Sequence, residues 1–422
     1  METYGKILLI AMPAFLALVL FEKWYGWYKG KDTVRNMDMI SSLSSGITNV
    51  TKDVLGLSIA LISYQWMVSH LAFTHVSSSL LTYIIAFVAL DFAGYWGHRI
   101  AHEYNFFWNS HIIHHSSEEF NLACALRQSI SIFVKLFTIF LLPAALLGVP
   151  AQVVAVVAPL HLFAQFWYHT QHIGRMGWLE YIIVTPSHHR VHHAINKEYI
   201  DKNYGQIFIF WDKLFGTYQE ELKNVQPVYG ITRPAATWNP IKINFMHLWL
   251  LIKDAWHAKQ WKDKLRIWFM PTGWRPADVA ERYPVYKIED VYHFSKYSTS
   301  DHSMLLGTWS WVQLSILLLF ISYLFGNIAQ IGSPAMFLYG GFVFLYVYAF
   351  TELMDRGTYA WVWELLKDGL GIGIILYTGD WFGTGHYFVY APQVLIGYFL
   401  LSMLVCLYFV SRNRQQGTAV SL

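Results

Sequence analysis

The sequence predicts an all-α fold, a multi-pass integral membrane helical bundle with a cytoplasmic, His-rich cap. Three observations carry that prediction. Of the 422 residues 55% are hydrophobic and only 14% charged, against about 25% charged in soluble domains, so too few charges remain to cover a soluble globule. Several stretches approach the roughly 20 apolar residues that a helix needs to cross a bilayer. Twelve of the 19 histidines fall between His98 and His193. The net charge of +3 gives no footprint for nucleic acid. Two cysteines, Cys124 and Cys406, make neither a disulfide framework nor a thiolate cluster.

The elements follow in chain order. Residues 6–21 are followed by Lys23, Trp24 and Tyr25 rather than by a small-residue cleavage site, which reads as a retained anchor. Residues 54–73, 80–97, 130–149 and 151–168 are the next candidate spans; after a long polar stretch come 305–326, 335–350, 361–379 and 389–410. The stretch 361–379 departs most from the pattern because it holds Glu364, Lys367 and Asp368. Lys23, Lys29, Lys31, Arg35 and Lys52 follow the first span, and such a basic bias marks the cytoplasmic side. Alternation over nine spans then puts the His-rich stretches and the tail on that same side. The expected divisions are an anchor and basic segment (1–53), a catalytic unit (54–220), a cytoplasmic polar segment (221–304) and a C-terminal bundle (305–422). A membrane with a cytoplasmic face fits, either the bacterial cytoplasmic membrane or the endoplasmic reticulum.

The histidines are spaced for metal. His98 and His102 form an i, i+4 pair, which a helix places on one face. His111, His114 and His115 share an HxxHH spacing with His189, His192 and His193, and His169 with His172 adds an i, i+3 pair. Each cluster follows the end of a predicted span, so two hairpins present imidazoles to one site. Imidazole is the commonest metal ligand and suits zinc, copper, iron or nickel. Eight to ten nitrogen donors exceed what one ion accepts, and two metals are expected. His188 stands between ligand and neighbour, and His161, inside a span, is expected to pack or to support a ligand.

The zinc-protease pattern HExxH is absent because position 99 is Arg, and the Glu-x-x-His of carboxylate-bridged di-iron bundles is absent as well. An all-nitrogen, near-neutral set leaves two ions with high positive charge, a suitable electrophilic centre for binding and reducing O2. Glu103 is a candidate acid–base group beside the cluster. Asp91 lies within a span, two turns before His98 on the same face, where an ionisable residue is a functional candidate; it is expected to orient a ligand histidine. Trp66, Trp96, Trp108 and Trp167 could line an acyl slot, and Arg127, Gln128 and Asn203 a polar head. The basic, aromatic stretch 242–264 could lie on an anionic leaflet.

The three boxes, His98-x3-His102, His111-x2-His114-His115 and His189-x2-His192-His193, resemble the fatty acid hydroxylase/sterol desaturase superfamily of membrane di-iron oxygenases. The strings around them, among them Thr185-Pro-Ser-His-His-Arg-Val-His-His193, Asp201-Lys-Asn-Tyr-Gly205 and Trp211-Asp-Lys-Leu-Phe-Gly-Thr217, are similar to its ether-lipid-cleaving branch. The resemblance covers roughly residues 35–220. It implies two iron ions on the eight box histidines, with His169 and His172 as further ligands and Glu103 as a required glutamate. It also implies O2 as co-substrate, tetrahydrobiopterin as reductant and cleavage of the ether bond of alkylglycerols. A fatty acid or sterol hydroxylase or desaturase is the alternative on the same site, with an acyl or sterol lipid as substrate. A metal transporter fits less well, since transport sites lie near the bilayer midplane whereas these boxes follow the span ends. The electron donor's binding residues and an oligomeric state are not legible.

Overall fold

The computed structural model describes residues 2–60, 62–131, 134–135, 137–299 and 302–419. Ten helices matter here. They are α1 (Glu2–Tyr28), α2 (Asn36–Val54), α3 (Leu80–Glu103), α4 (Ala151–Phe163), α5 (Pro186–His193), α6 (Pro240–His257), α7 (Met304–Ile331), α8 (Ala335–Met354), α9 (Ala360–Thr378) and α10 (Ala391–Ala419). The only paired strands among the described residues are the two-residue parallel segments Ile59–Ala60 and Val134–Lys135.

Five helices are long and apolar enough to cross a membrane among the described residues: α1, α3, α7, α8 and α10 through Arg412. The protein is therefore a multi-pass membrane protein, with five of the nine expected spans formed as such. The other four differ for identifiable reasons. Residues 54–73 take in the end of α2, a turn at Gly56 and the short helix Tyr64–Leu71, whose N-cap is Ser63. Residues 130–149 break into Val134–Lys135, a 3-10 turn over Phe137–Leu141 and the single turn Leu142–Leu146, which opens with Pro143 in its first turn. Helix α4 stops after 13 residues, about 20 Å at 1.5 Å per residue, short of the ~30 Å hydrocarbon core. Residues 361–379 do form a helix, α9, but Glu364, Lys367 and Asp368 are fully buried in it, facing Gln313 and Ser402. Paired buried charge, not an apolar surface, sets that helix among its neighbours.

Helix α1 packs along α7, and α2 packs against α7 and α8, while α8, α9 and α10 pack in sequence. Hydropathy does not flag α2, yet Ser41, Ser42, Ser44, Ser45, Thr48 and Thr51 on it are buried. Their hydroxyls are satisfied internally: Ser44 donates to Ile40 O at 2.7 Å, Thr51 to Ile47 O at 2.7 Å and Ser41 to Trp238 O at 2.7 Å. A polar helix can sit in the core once each hydroxyl has an acceptor. Glu22, buried in α1, ties that helix to the site by accepting from Leu122 N (2.6 Å) and Thr170 Oγ1 (2.5 Å).

Candidate metal centre

Four pieces of chain converge at the end of α3. The last turns of α3 present His98 and His102 with ring centroids 5.2 Å apart. After Tyr104 leaves the helix in an extended conformation, one isolated turn, Ile112–His115, carries His114 and His115, with His111 just before it. His169 follows the end of α4. Helix α5 starts with Pro186 in its first turn, where a missing N–H costs nothing, and delivers His189, His192 and His193.

The nine imidazoles sort into two groups. In the first, His98, His102, His111, His115 and His192 each offer a ring nitrogen within 4.8 Å of all the others; His114, His169, His189 and His193 do the same in the second. No Asp, Glu or Cys among the described residues joins either group. The Nε2 atoms meet: His98 and His111 at 2.9 Å, His102 and His115 at 3.1 Å, His189 and His169 at 2.8 Å, His189 and His193 at 3.0 Å.

The far side of the rings decides what those contacts are. His98 Nδ1 lies 2.8 Å from Tyr204 O, His192 Nδ1 2.9 Å from Lys202 O, His169 Nδ1 3.1 Å from Gln165 O and His114 Nδ1 3.3 Å from Arg127 O. A carbonyl only accepts, so these Nδ1 atoms carry the proton and each Nε2 turns a lone pair inward. His169 Nε2 and His114 Nε2 then face each other at 3.4 Å with no proton to share. His192 Nε2 is buried without any hydrogen-bond partner among the described residues. Converging lone pairs repel unless a cation lies among them, and Nδ1–H to carbonyl is the usual support of a metal-bound histidine. The residues present therefore fit a metal ion in each group.

The supporting loop explains why the chain carries Asp201-Lys-Asn-Tyr-Gly205 and Trp211-Asp212. Asp212 accepts from Tyr204 N and Gly205 N, both at 2.7 Å, and from Thr217 Oγ1 at 2.7 Å. Asp201 and Asn203 adopt φ of 59° and 56°, a left-handed conformation that these residue types tolerate. A Cβ at position 205 would meet Asp212 Oδ2 at 2.8 Å, so glycine is required there. The loop so folded aims the carbonyls of Lys202 and Tyr204 at His192 and His98. Sequence reasoning picked out the two strings without seeing that backbone carbonyls were their contribution.

The remaining candidates are placed as follows. His172 lies in neither group: its Nε2 is 3.1 Å from Thr33 Oγ1 and its ring sits edge-on to Tyr25. Nor does His188, whose Nδ1 accepts from Thr185 N at 3.4 Å and caps its own helix. Glu103 accepts from Arg99 Nε at 2.8 Å at the rim. Asp91 is fully buried and accepts from His161 Nε2, Ile207 N, Phe208 N and Trp211 Nε1, so it orients His161, the 207–208 backbone and the Trp211 indole, not a histidine of either group. Arg127 is engaged by Asp38 (2.8 Å), Ser42 and Ser116 and Asn203 by backbone carbonyls, which leaves neither free for a ligand.

Burial, and then the neighbouring imidazoles, hold His114, His189 and His193 well below the usual histidine range, and burial takes His169 down to about 3. A pKa depressed in the folded state stabilises the fold only above the unfolded-state value near 6.5. As pH falls below that value the unfolded chain takes up protons that the fold refuses. The unfolding midpoint of metal-free protein is expected to hold from pH 8 to 7 and to fall steadily from pH 6.5 to 5, measured by thermal unfolding in detergent. A midpoint unchanged across that window would contradict buried neutral rings.

Beside the first group opens a cavity of about 310 Å³. It is lined by His102, His115 and His192 and by Arg233, His247 and Arg275 of the polar segment.

Residues 83–217 match the fatty acid hydroxylase family. The chain is 37% identical to the alkylglycerol monooxygenase of Homo sapiens over 85% of its own length and 80% of that protein. It belongs to the alkylglycerol monooxygenase family. The family's Danio rerio member is 38% identical over 65% of this chain and 61% of its own. An ornithine lipid hydroxylase of Rhizobium tropici is 31% identical over 36% of this chain and 46% of its own. No solved structure matches. As a member of the alkylglycerol monooxygenase family the protein is a monooxygenase, and its two histidine groups fit an iron-dependent enzyme.

Proposed function

We propose that the protein is a membrane di-iron monooxygenase that cleaves the ether bond of alkylglycerols, with O2 as co-substrate and tetrahydrobiopterin as the source of two electrons. The observation that carries the reading is the pair of all-histidine groups with inward-facing Nε2 atoms at the end of an apolar helix, in a chain so similar to alkylglycerol monooxygenases. His98, His102, His111, His115 and His192 would hold one ion and His114, His169, His189 and His193 the other. Iron bound there supplies the oxidising power for inserting an oxygen atom into a C–H bond.

In overall balance, the carbon next to the ether oxygen is hydroxylated, one O2 and two electrons with two protons giving the hydroxyl and a water. The hydroxyl proton then passes to the ether oxygen, the C–O bond breaks, and an aldehyde and glycerol leave. The chain's own contribution is position. The groups follow the end of α3, so a lipid standing among the helices brings carbons near its headgroup to their level. Glu103, tied to Arg99 at the rim, is assigned to proton handling, and Asp91 to holding the backbone that supports the centre. The residues 54–220 then form the catalytic unit, flanked by the anchor and basic segment 1–53 and the polar segment 221–304, with 305–422 as the membrane bundle. The basic segment after α1 supports a cytoplasmic location of the site.

Purified protein in nanodiscs, loaded with iron and given an alkylglycerol, tetrahydrobiopterin and O2, is expected to release one aldehyde per O2 consumed. Turnover of an acyl or sterol lipid with no aldehyde from alkylglycerol would overturn the proposal in favour of a hydroxylase or desaturase.

A further inference from the structure

The cavity beside the first group carries a feature that cleavage of a neutral alkylglycerol does not use. Two arginines line it, and they are in opposite situations. Arg275 is neutralised, with Nε and Nη2 gripping Asp254 at 2.6 and 2.8 Å. Arg233 is partly buried, donates to Met246 O at 3.1 Å and has no carboxylate within 4.0 Å among the described residues. On the same lining His247 is 6% exposed, and its Nε2 has no hydrogen-bond partner among the described residues. Thr272 Oγ1, also on the lining, is buried and unpartnered. Lys287, also on the lining, is exposed and has no carboxylate partner among the described residues.

An unsatisfied buried polar atom costs roughly 1–3 kcal/mol, and a partly desolvated cation whose nearest acting carboxylate, Asp254, is already bonded to Arg275 is costly as well. Two such atoms beside an unpaired guanidinium, around one cavity, form a complementary surface for a group that accepts hydrogen bonds and carries negative charge. Arginine matches phosphate in charge and in its forked geometry. Asp201, the carboxylate on the lining, lies 3.8 Å from His102 Nδ1. Arg233, Arg275 and Lys287 thus share the lining with a single carboxylate. Its volume lies at the small end of the roughly 300–1,000 Å³ range of ligand pockets, suited to a head the size of glycerol phosphate.

We propose that Arg233, His247 and Thr272 form a subsite for a phosphate ester, so that the ligand reaching the first histidine group carries an anionic head. The inference rests on the function proposed above and narrows its substrate class to phosphorylated ether lipids, or adds a soluble phosphate ester to what the cavity accepts. Binding tests it without turnover. Full-length protein in phosphatidylcholine nanodiscs, held without O2, is titrated with 1-O-alkylglycerol, with its 3-phosphate and with sn-glycerol 3-phosphate. The alkylglycerol phosphate is expected to bind at least about tenfold tighter than the neutral lipid, and the preference should shrink as salt rises.

Arg233→Gln should weaken the phosphate form about tenfold to a hundredfold, and Arg233→Lys should recover part of the loss. His247→Gln is the second variant should Arg233→Gln fail to fold. Tight binding of sn-glycerol 3-phosphate alone identifies a soluble phosphate ester, while binding of the alkylated form only identifies a lipid headgroup; either supports the subsite. Equal affinity for neutral and phosphorylated lipid, or folded Arg233 and His247 variants that bind the phosphate form as well as wild type, would overturn it. Absence of aldehyde from both lipids in the separate activity assay would instead sink the proposed function and leave the binding comparison standing.

Discussion

Replacing His189 by Ala is expected to cut activity by more than about a hundredfold and to lower iron from about two ions per chain towards one. His189 Nε2 lies 2.8 Å from His169 Nε2 and 3.0 Å from His193 Nε2, so it sits where the second group converges. That group has four donors, and the substitution leaves three, while the five of the first group are untouched. Changes even to residues that merely support a ligand typically cost about 10- to 100-fold in metal affinity or activity, and loss of the ligand itself should exceed that. Helix α5 should survive, because Ala has the highest helix propensity and the Thr185 cap remains. Metal analysis beside thermal unfolding separates the cases: a chain that unfolds while folded molecules keep both ions would point to a structural histidine.

Asp91→Ala should act through stability rather than chemistry, and severely. The carboxylate is fully buried and accepts from His161 Nε2 at 2.9 Å, Ile207 N at 2.8 Å, Phe208 N at 3.1 Å and Trp211 Nε1 at 2.9 Å. Without it these donors are stranded. At about 1 kcal/mol each, the low end for a buried unsatisfied group, the loss is about 4 kcal/mol, a large share of the roughly 5–15 kcal/mol by which domains are stable. The strand of chain it holds, Ile207–Trp211, runs straight on from Tyr204, whose carbonyl supports His98, so the iron content of surviving protein should drop as well. Asp91→Asn, with a carbonyl oxygen left to accept, should recover part of the loss. An Asp91→Ala protein with a wild-type unfolding midpoint would contradict this role.

The nine grouped histidines were legible as candidates because repeated HxxHH and HxxxH spacings follow apolar spans. Their partition was not. His114 and His115 are adjacent, as are His192 and His193, yet each pair is divided between the two groups, because neighbours on a single helical turn point about 100° apart. The same spacing also misleads: His172 is placed like a ligand relative to His169, but the chain leaves the turn after His169 and the ring goes to Tyr25. Asp91 stood out from its place in a span, although helical phase alone suggested a histidine partner on its own helix. The partner came from α4, at His161. Hydropathy found the five long helices but overcounted at 54–73 and 130–149, where Gly56 and Pro143 interrupt apolar runs. It passed over α2, whose buried hydroxyls find acceptors that only the folded chain supplies.

The central claim is that two metal ions are held by nitrogen alone, five histidines on one side and four on the other. A metal-resolved structure of the iron-loaded protein, with anomalous or elemental identification of the ions, tests it most directly. Two ions are expected, one among His98, His102, His111, His115 and His192 and one among His114, His169, His189 and His193, with His172 and His188 bound to neither. A single ion shared by all nine rings, or an ion ligated by Glu103 or Asp91, would contradict it.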